Sequence, residues 1–124
     1  MLTLLFLSVI TLQFSQQSSI ETSLFTDLNN ALQLYQNKAY AAAQKSFEKV
    51  VKNSHQNSNL KADAAYFEAM CALKLQQPSA DQKILDFVAT YPNSTKKNQA
   101  FFNVGNHYFA NKKPAYALKW YQKV

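Results

Sequence analysis

The chain has 124 residues and a net charge of +6, made by thirteen lysines and no arginine against seven acids. That length suits one domain, and a single glycine with three prolines leaves no room for long flexible linkers. A lone cysteine excludes an internal disulfide, and the absence of arginine argues against a dedicated nucleic-acid role, because arginine supplies the bidentate base and phosphate contacts. Weak or indirect attraction to an anionic lipid surface or cell-wall polymer remains open.

Met1 to Phe14 is almost continuously apolar and holds no charged side chain. The run is shorter than the ~20 residues of a membrane span and suits the core of a secretory signal. Residues 1–15 are therefore expected to be a signal peptide cut after Ser15. No lysine precedes the run, and Gln13 is a poor residue three places before the cut. An uncleaved membrane anchor and a buried first helix stay open as alternatives. No cysteine stands near position 15, so lipid attachment of the bacterial kind is excluded there.

The remainder, residues 16–124, is expected to be all-α. A first helix is expected from about Thr22 to Asn37, with Leu28, Ala31, Leu34 and Tyr35 on its apolar side. A turn at Asn37-Lys38 leads to a second from about Ala39 to Lys52. The third carries Ala64, Phe67, Cys71 and Leu75 on one face and is broken by Gln77-Pro78. Ser79-Ala80-Asp81-Gln82 reads as a capping box opening the fourth, which stops near Tyr91-Pro92. Ser94 is placed to cap the fifth, whose stripe runs through Phe101, Val104, Tyr108 and Phe109. Gly105 lies inside that stripe. A helical glycine costs about 1 kcal/mol against alanine, so close approach of the paired helix is expected there, with Ala117 facing it. Pro114 fits the first turn of the sixth helix, where its missing N–H costs nothing. No alternating strand pattern appears.

Three segments share one spacing. Ala43, Ala80 and Ala117 lie 37 residues apart, as do Phe47, Ile84 and Tyr121, and Val50, Phe87 and Val124. A small residue, a bulky one four later and an apolar one three after that fall on one helical face. A fixed period of a few tens of residues marks stacked repeats. The expected architecture is an α-solenoid of antiparallel helix pairs with boundaries near 24–57, 58–94 and 95–124. Val124 is read as lying within an uncapped apolar face, so the last repeat is expected to be truncated and the solenoid to continue beyond it.

Candidate chemistry is sparse. His55 lies in the polar connector Ser54-His55-Gln56-Asn57, and His107 is expected to face solvent. No metal-ligand spacing links either to Cys71, which reads as a buried inert thiol. Asp81 and Asp86 share a helix but not a face. No phosphate-cradling glycine loop exists. The expectation is a non-enzymatic chain without metal or cofactor. The lysines at 38, 45, 49 and 52, and at 112, 113, 119 and 123, read as solvated outer faces.

These residues resemble the tetratricopeptide repeat (TPR) family, whose motif places a small residue and an aromatic on the first helix and an Ala-x-x-x-Phe/Tyr run on the second. Gly105, Tyr108, Pro114, Ala117 and Tyr121 match in the third copy. Ala31, Leu34, Tyr40, Ala43 and Phe47 match in the first, and Ala80, Ile84, Phe87 and Pro92 in the second. Glu68 stands where a small residue belongs, with Ala69 one place away. The resemblance covers Leu24 to Val124, with a period longer than the family's usual 34. The phrases around Phe87 to Ser94 and Ala117 to Val124 look most like exported bacterial cell-envelope TPR proteins. The resemblance implies a protein–protein interaction scaffold exported to the periplasm or cell envelope. A partner protein or peptide would lie in a concave groove lined by Leu28, Leu32, Tyr35, Phe102, Asn106 and Phe109, with Ala65, Ala69 and Ala72 between them. One subtype grips C-terminal carboxylates, but its positions hold Leu28, Leu32, Tyr66, Gln99 and Asn103 here, so that clamp is not expected. The alternative is a structural spacer arm or accessory domain with no ligand of its own.

Overall fold

The computed structural model describes residues 20, 22–55 and 58–124. The expected signal peptide, with its boundary at Ser15, lies outside them. The described residues form six helices and no strand: α1 (residues 22–36), α2 (Tyr40–Asn53), α3 (Asn59–Lys74), α4 (Ala80–Thr90), α5 (Lys97–Ala110) and α6 (Pro114–Tyr121). The all-α reading and the element order hold.

Two apolar clusters organise these helices, and α3 belongs to both. Leu28 and Ala31 from α1 pack with Ala43, Phe47 and Val50 from α2 and with Ala64 and Cys71 from α3. On the other side Tyr66, Met70 and Leu73 of α3 meet Ile84 and Phe87 of α4, Phe101 and Val104 of α5, and Trp120 of α6. A helix covered on two sides must be apolar around more than one face. Ala62, Ala64, Ala69 and Ala72 supply small surfaces on α3 for that close packing, and all four are buried. Aromatic rings join the clusters. Phe67 stacks on Phe47 at 5.4 Å and takes the edges of Tyr35 and Tyr66 at 5.2 and 4.9 Å. Tyr66 continues to Phe87 at 5.8 Å.

Several positions 37 residues apart have similar surroundings. Ala43, Ala80 and Ala117 are all buried, as are Phe47 and Ile84. Tyr66 and Asn103, one period apart, are joined by a hydrogen bond from Asn103 Nδ2 to the Tyr66 hydroxyl at 2.8 Å. The turns after α1, α3 and α5 share one geometry. Lys38, Gln76 and Lys112 have φ of 61°, 55° and 60°. Each donates its N–H three residues back, and the next residue donates five residues back: Ala39 to Leu34, Gln77 to Ala72 and Lys113 to Tyr108. These are Schellman closures, which cover carbonyls left open at a helix end.

Elsewhere the structure departs from expectation. Ser79 makes no side-chain cap bond at the start of α4, so the capping box is not formed. Its φ and ψ of −86° and 0° lie outside the extended region typical of a cap. Ser58 does cap α3, accepting from the Lys61 N–H at 3.1 Å. Ser94 lies before α5 and accepts from the Lys96 N–H at 3.1 Å, a turn contact ahead of the helix. Leu75 is the residue after α3 and is 37% exposed. Phe109 does not share the buried stripe of α5, being 66% exposed. Val124 falls past the end of α6 and is exposed, so the third copy loses its last core position. Trp120 fills that part of the core against Phe101 at 6.2 Å.

Gly105 marks a close approach, and the group nearest to it is the Tyr121 ring. A Cβ placed there would come within 2.5 and 2.9 Å of Cδ1 and Cζ of that ring. At the equivalent place in α3, Glu68 instead reaches Lys83 of α4 at 2.7 Å. An ion pair thus spans the contact that a bare backbone makes in the last pair. A second polar tie is the reciprocal amide pair of buried Gln44 with Gln77, at 2.9 and 2.8 Å, which fastens α2 to the α3–α4 turn. No buried side-chain polar atom among the described residues lacks a partner.

Three outcomes follow from this packing. Gly105→Ala should destabilise the fold by about 1–3 kcal/mol in urea unfolding, because the ring must move away. In a Tyr121→Ala background the same change should stabilise by about 1 kcal/mol, since only helix propensity remains. Lys112→Gly should raise stability by about 0.5–1 kcal/mol, because glycine occupies the left-handed region without a Cβ clash but loses more chain entropy on folding.

A further outcome concerns pH. Burial, reinforced by the negative charge of Glu68, pushes the Cys71 thiol up from 9.0 to about 12. An unfolded chain releases that proton above about pH 9 while the native chain keeps it. The unfolded state then binds fewer protons, and stability should fall from pH 9 upward. The slope approaches roughly 1 kcal/mol per pH unit, and Cys71→Ala should flatten it between pH 9 and 10.

Candidate peptide-binding surface

The side chains expected to line one groove are distributed unevenly. Leu28 is 6% exposed and belongs to the core. Leu32 is half-buried against the same cluster. Ala69 and Ala72 are buried, and Ala65 is half-buried. Phe102 is 51% exposed, its ring 5.7 Å from that of Tyr121. Phe109 stands in solvent.

Tyr35 and Asn106 do come together. With Met70, Leu73, Lys74, Asn103, His107 and Ala110 they line a cleft of about 400 Å³. Residues of α1, α3 and α5 contribute to it. Asn103 is held by its bond to Tyr66, and Asn106 Oδ1 accepts from the Tyr121 hydroxyl at 2.6 Å. Burial, with smaller contributions from Tyr66, Cys71 and Tyr40, pushes the Tyr35 hydroxyl up to about 12, so it stays a neutral donor at physiological pH. The walls therefore offer amides, a hydroxyl, one ammonium and the apolar surfaces of Met70 and Leu73.

A second cleft of about 460 Å³ opens between the α3–α4 and α5–α6 turns. Gln76, Gln77, Pro78, Asp81, Tyr108 and Lys113 are among its walls, and Leu73 and His107 line both clefts. The Tyr108 hydroxyl donates to the Asp81 carboxylate, with oxygens at 2.7 and 2.8 Å. That hydroxyl is pushed up to about 12, by burial first and by Asp81 second. Lys113 Nζ lies 5.9 Å from the centre of the Tyr108 ring.

His107 is half-buried rather than solvent-facing. Its imidazole is pushed below its ordinary value by burial and then by the Lys74 charge, with Lys113 adding to the effect and Asp81 opposing it. Asn111 Nδ2 lies 3.4 Å from the His107 Nε2 and donates to the His107 backbone carbonyl at 2.7 Å. His107, Lys74 and Asn103 were not assigned to the groove from the sequence. Lys74 and His107 sit at helix ends, where a one-residue change in bounds alters which side chains flank a cleft. The hydroxyl that ties Asn103 in place is 37 residues away.

Cys71 is fully enclosed, and His55 is exposed and distant in the α2–α3 connection. Among the described residues no group of three or more His, Cys, Asp or Glu is placed to hold a metal ion. No helix among them is long and apolar enough to cross a membrane. No family model, curated protein or solved structure matches this chain.

Proposed function

We propose that the chain is a TPR-type protein–protein interaction scaffold, built as a short α-solenoid of antiparallel helix pairs and exported to the bacterial cell envelope. The observation that carries this reading is the 400 Å³ cleft, to which α1, α3 and α5 all contribute. Stacked pairs that expose their first helices on one side make a continuous surface for an extended or helical peptide. The shared Schellman turns and the Tyr66–Asn103 bond at one period support the repeat. The apolar leader and the family resemblance support export. The competing reading, a spacer arm with no ligand, draws support from Leu28 and Ala72, which are committed to the core.

A photo-crosslinking residue at exposed Ala110 decides between them. It should capture a partner polypeptide from envelope extracts, and the same residue at Lys45 on α2 should not. Phe102→Ala with Phe109→Ala should leave the helical circular dichroism intact. If these rings anchor the partner, about 2 kcal/mol of binding is lost for each. No specific product at Ala110 would favour the spacer. N-terminal sequencing of the exported protein should begin near Gln16, and an intact Met1 in a cytoplasmic form would overturn the export reading.

A further inference from the structure

The net charge is not spread along the chain. All seven acids and seven of the thirteen lysines lie in residues 1–86. Residues 87–124 hold six lysines and no acid, so they carry the entire charge of +6. Four of the six, Lys112, Lys113, Lys119 and Lys123, are exposed on or beside α6, and none of the four pairs with a carboxylate among the described residues. Asp81 is engaged by the Tyr108 hydroxyl, and Asp63 by Lys96 at 3.9 Å.

The ammonium groups are positioned by rings. Lys113 Nζ lies 5.9 Å from the centre of Tyr108, Lys119 Nζ 5.6 Å from Tyr116 and Lys123 Nζ 5.8 Å from Trp120. Positions 116, 119 and 120 lie along one side of α6 at three- and four-residue steps, and Lys113 and Lys123 flank its two ends. One turn rises about 5.4 Å, close to the ~6.6 Å between alternate side chains of an extended peptide. An exposed apolar ring lies among these charges: Tyr116 is 56% exposed. A fully hydrated phosphate polymer would leave that ring uncovered, whereas a peptide with both acidic and apolar residues covers it.

We propose that the α5–α6 pair docks an acidic peptide segment of a partner protein. Lys113, Lys119 and Lys123 meet its carboxylates, Tyr116 meets an apolar side chain, and the 460 Å³ cleft beside His107 receives one acidic side chain. This names the partner's chemistry for the scaffold reading, and it does not depend on the cleft formed by α1, α3 and α5. The groups facing His107 are Lys74 from α3, Asp81 from α4 and Lys113 at the start of α6. A carboxylate entering there offsets the two lysines and favours the imidazolium.

The chain has two histidines, so an NMR titration of the imidazole Cε1–H signals reads His107 with His55 as an internal reference. The probe is a blocked peptide in which glutamate alternates with phenylalanine, and the control carries glutamine in place of glutamate. The glutamate peptide should raise the His107 titration midpoint and leave that of His55 in place, while the glutamine peptide should move neither. Changing Lys113, Lys119 and Lys123 together to glutamine should weaken binding roughly 10-fold. The same change at Lys45, Lys49 and Lys52 on α2 should have little effect, and added salt should reduce affinity. Equal binding of the two peptides, or equal loss from both sets of lysines, overturns the proposal. Tighter binding of inorganic polyphosphate than of the glutamate peptide overturns it as well. If the acidic surface fails in this way while the Ala110 crosslink persists, the scaffold reading stands alone.

Discussion

The contact on which the rest depends is the stack of Phe67 on Phe47, with the edges of Tyr35 and Tyr66 closing on Phe67. Phe67 sits on α3 and packs against both clusters. Without it α1 and α2 would share one core, α4 to α6 another, and α3 would have to choose between them. Each ring buries on the order of 150–250 Å², so this group holds a large share of the apolar surface of a small chain. The small residues on α3 serve the same end, because backbone and rings can approach only where no side chain intervenes.

Around that centre the chain reuses one device. Three turns close with the same pair of backbone bonds, and each places a lysine or glutamine in the left-handed region, where glycine is commonest. The contacts inside each pair are less uniform. A glycine lets the Tyr121 ring onto the backbone of α5, whereas a glutamate–lysine pair spans α3 and α4 at the corresponding place. Both satisfy the requirement that neighbouring helices meet without a void, one by removing a side chain and the other by bridging with two long ones.

Charge and shape then separate. The first four helices carry balanced charge and most of the buried aromatic surface, while the last two carry the whole excess of positive charge. His107 lies where the two clefts share a wall, between Lys74 and Lys113 and opposite Asp81. Neither cleft gathers a nucleophile with a base to activate it, and the buried thiol is held in its neutral form.

The sequence by itself determined the helical class, the order of the elements and many of the residues that face the core. Those properties follow from local periodicity, and a helix must turn its apolar stripe inward wherever it packs. Ala43, Ala80, Phe47 and Ile84 were legible for that reason. The three turns were legible as polar breaks, though not as left-handed closures, because lysine and glutamine carry no signal for positive φ. Of the side chains expected to line a groove, Tyr35 and Asn106 meet in one cleft, whereas Leu28 is core and Phe109 stands in solvent. Spacing gives the angle of a side chain around its own helix but not the position of the neighbouring helix that covers it. That is why the Tyr121 ring lies against Gly105, why Trp120 rather than Val124 completes the core, and why His107 lines two clefts. These depend on distances between helices far apart in the chain, and only the tertiary structure decided them.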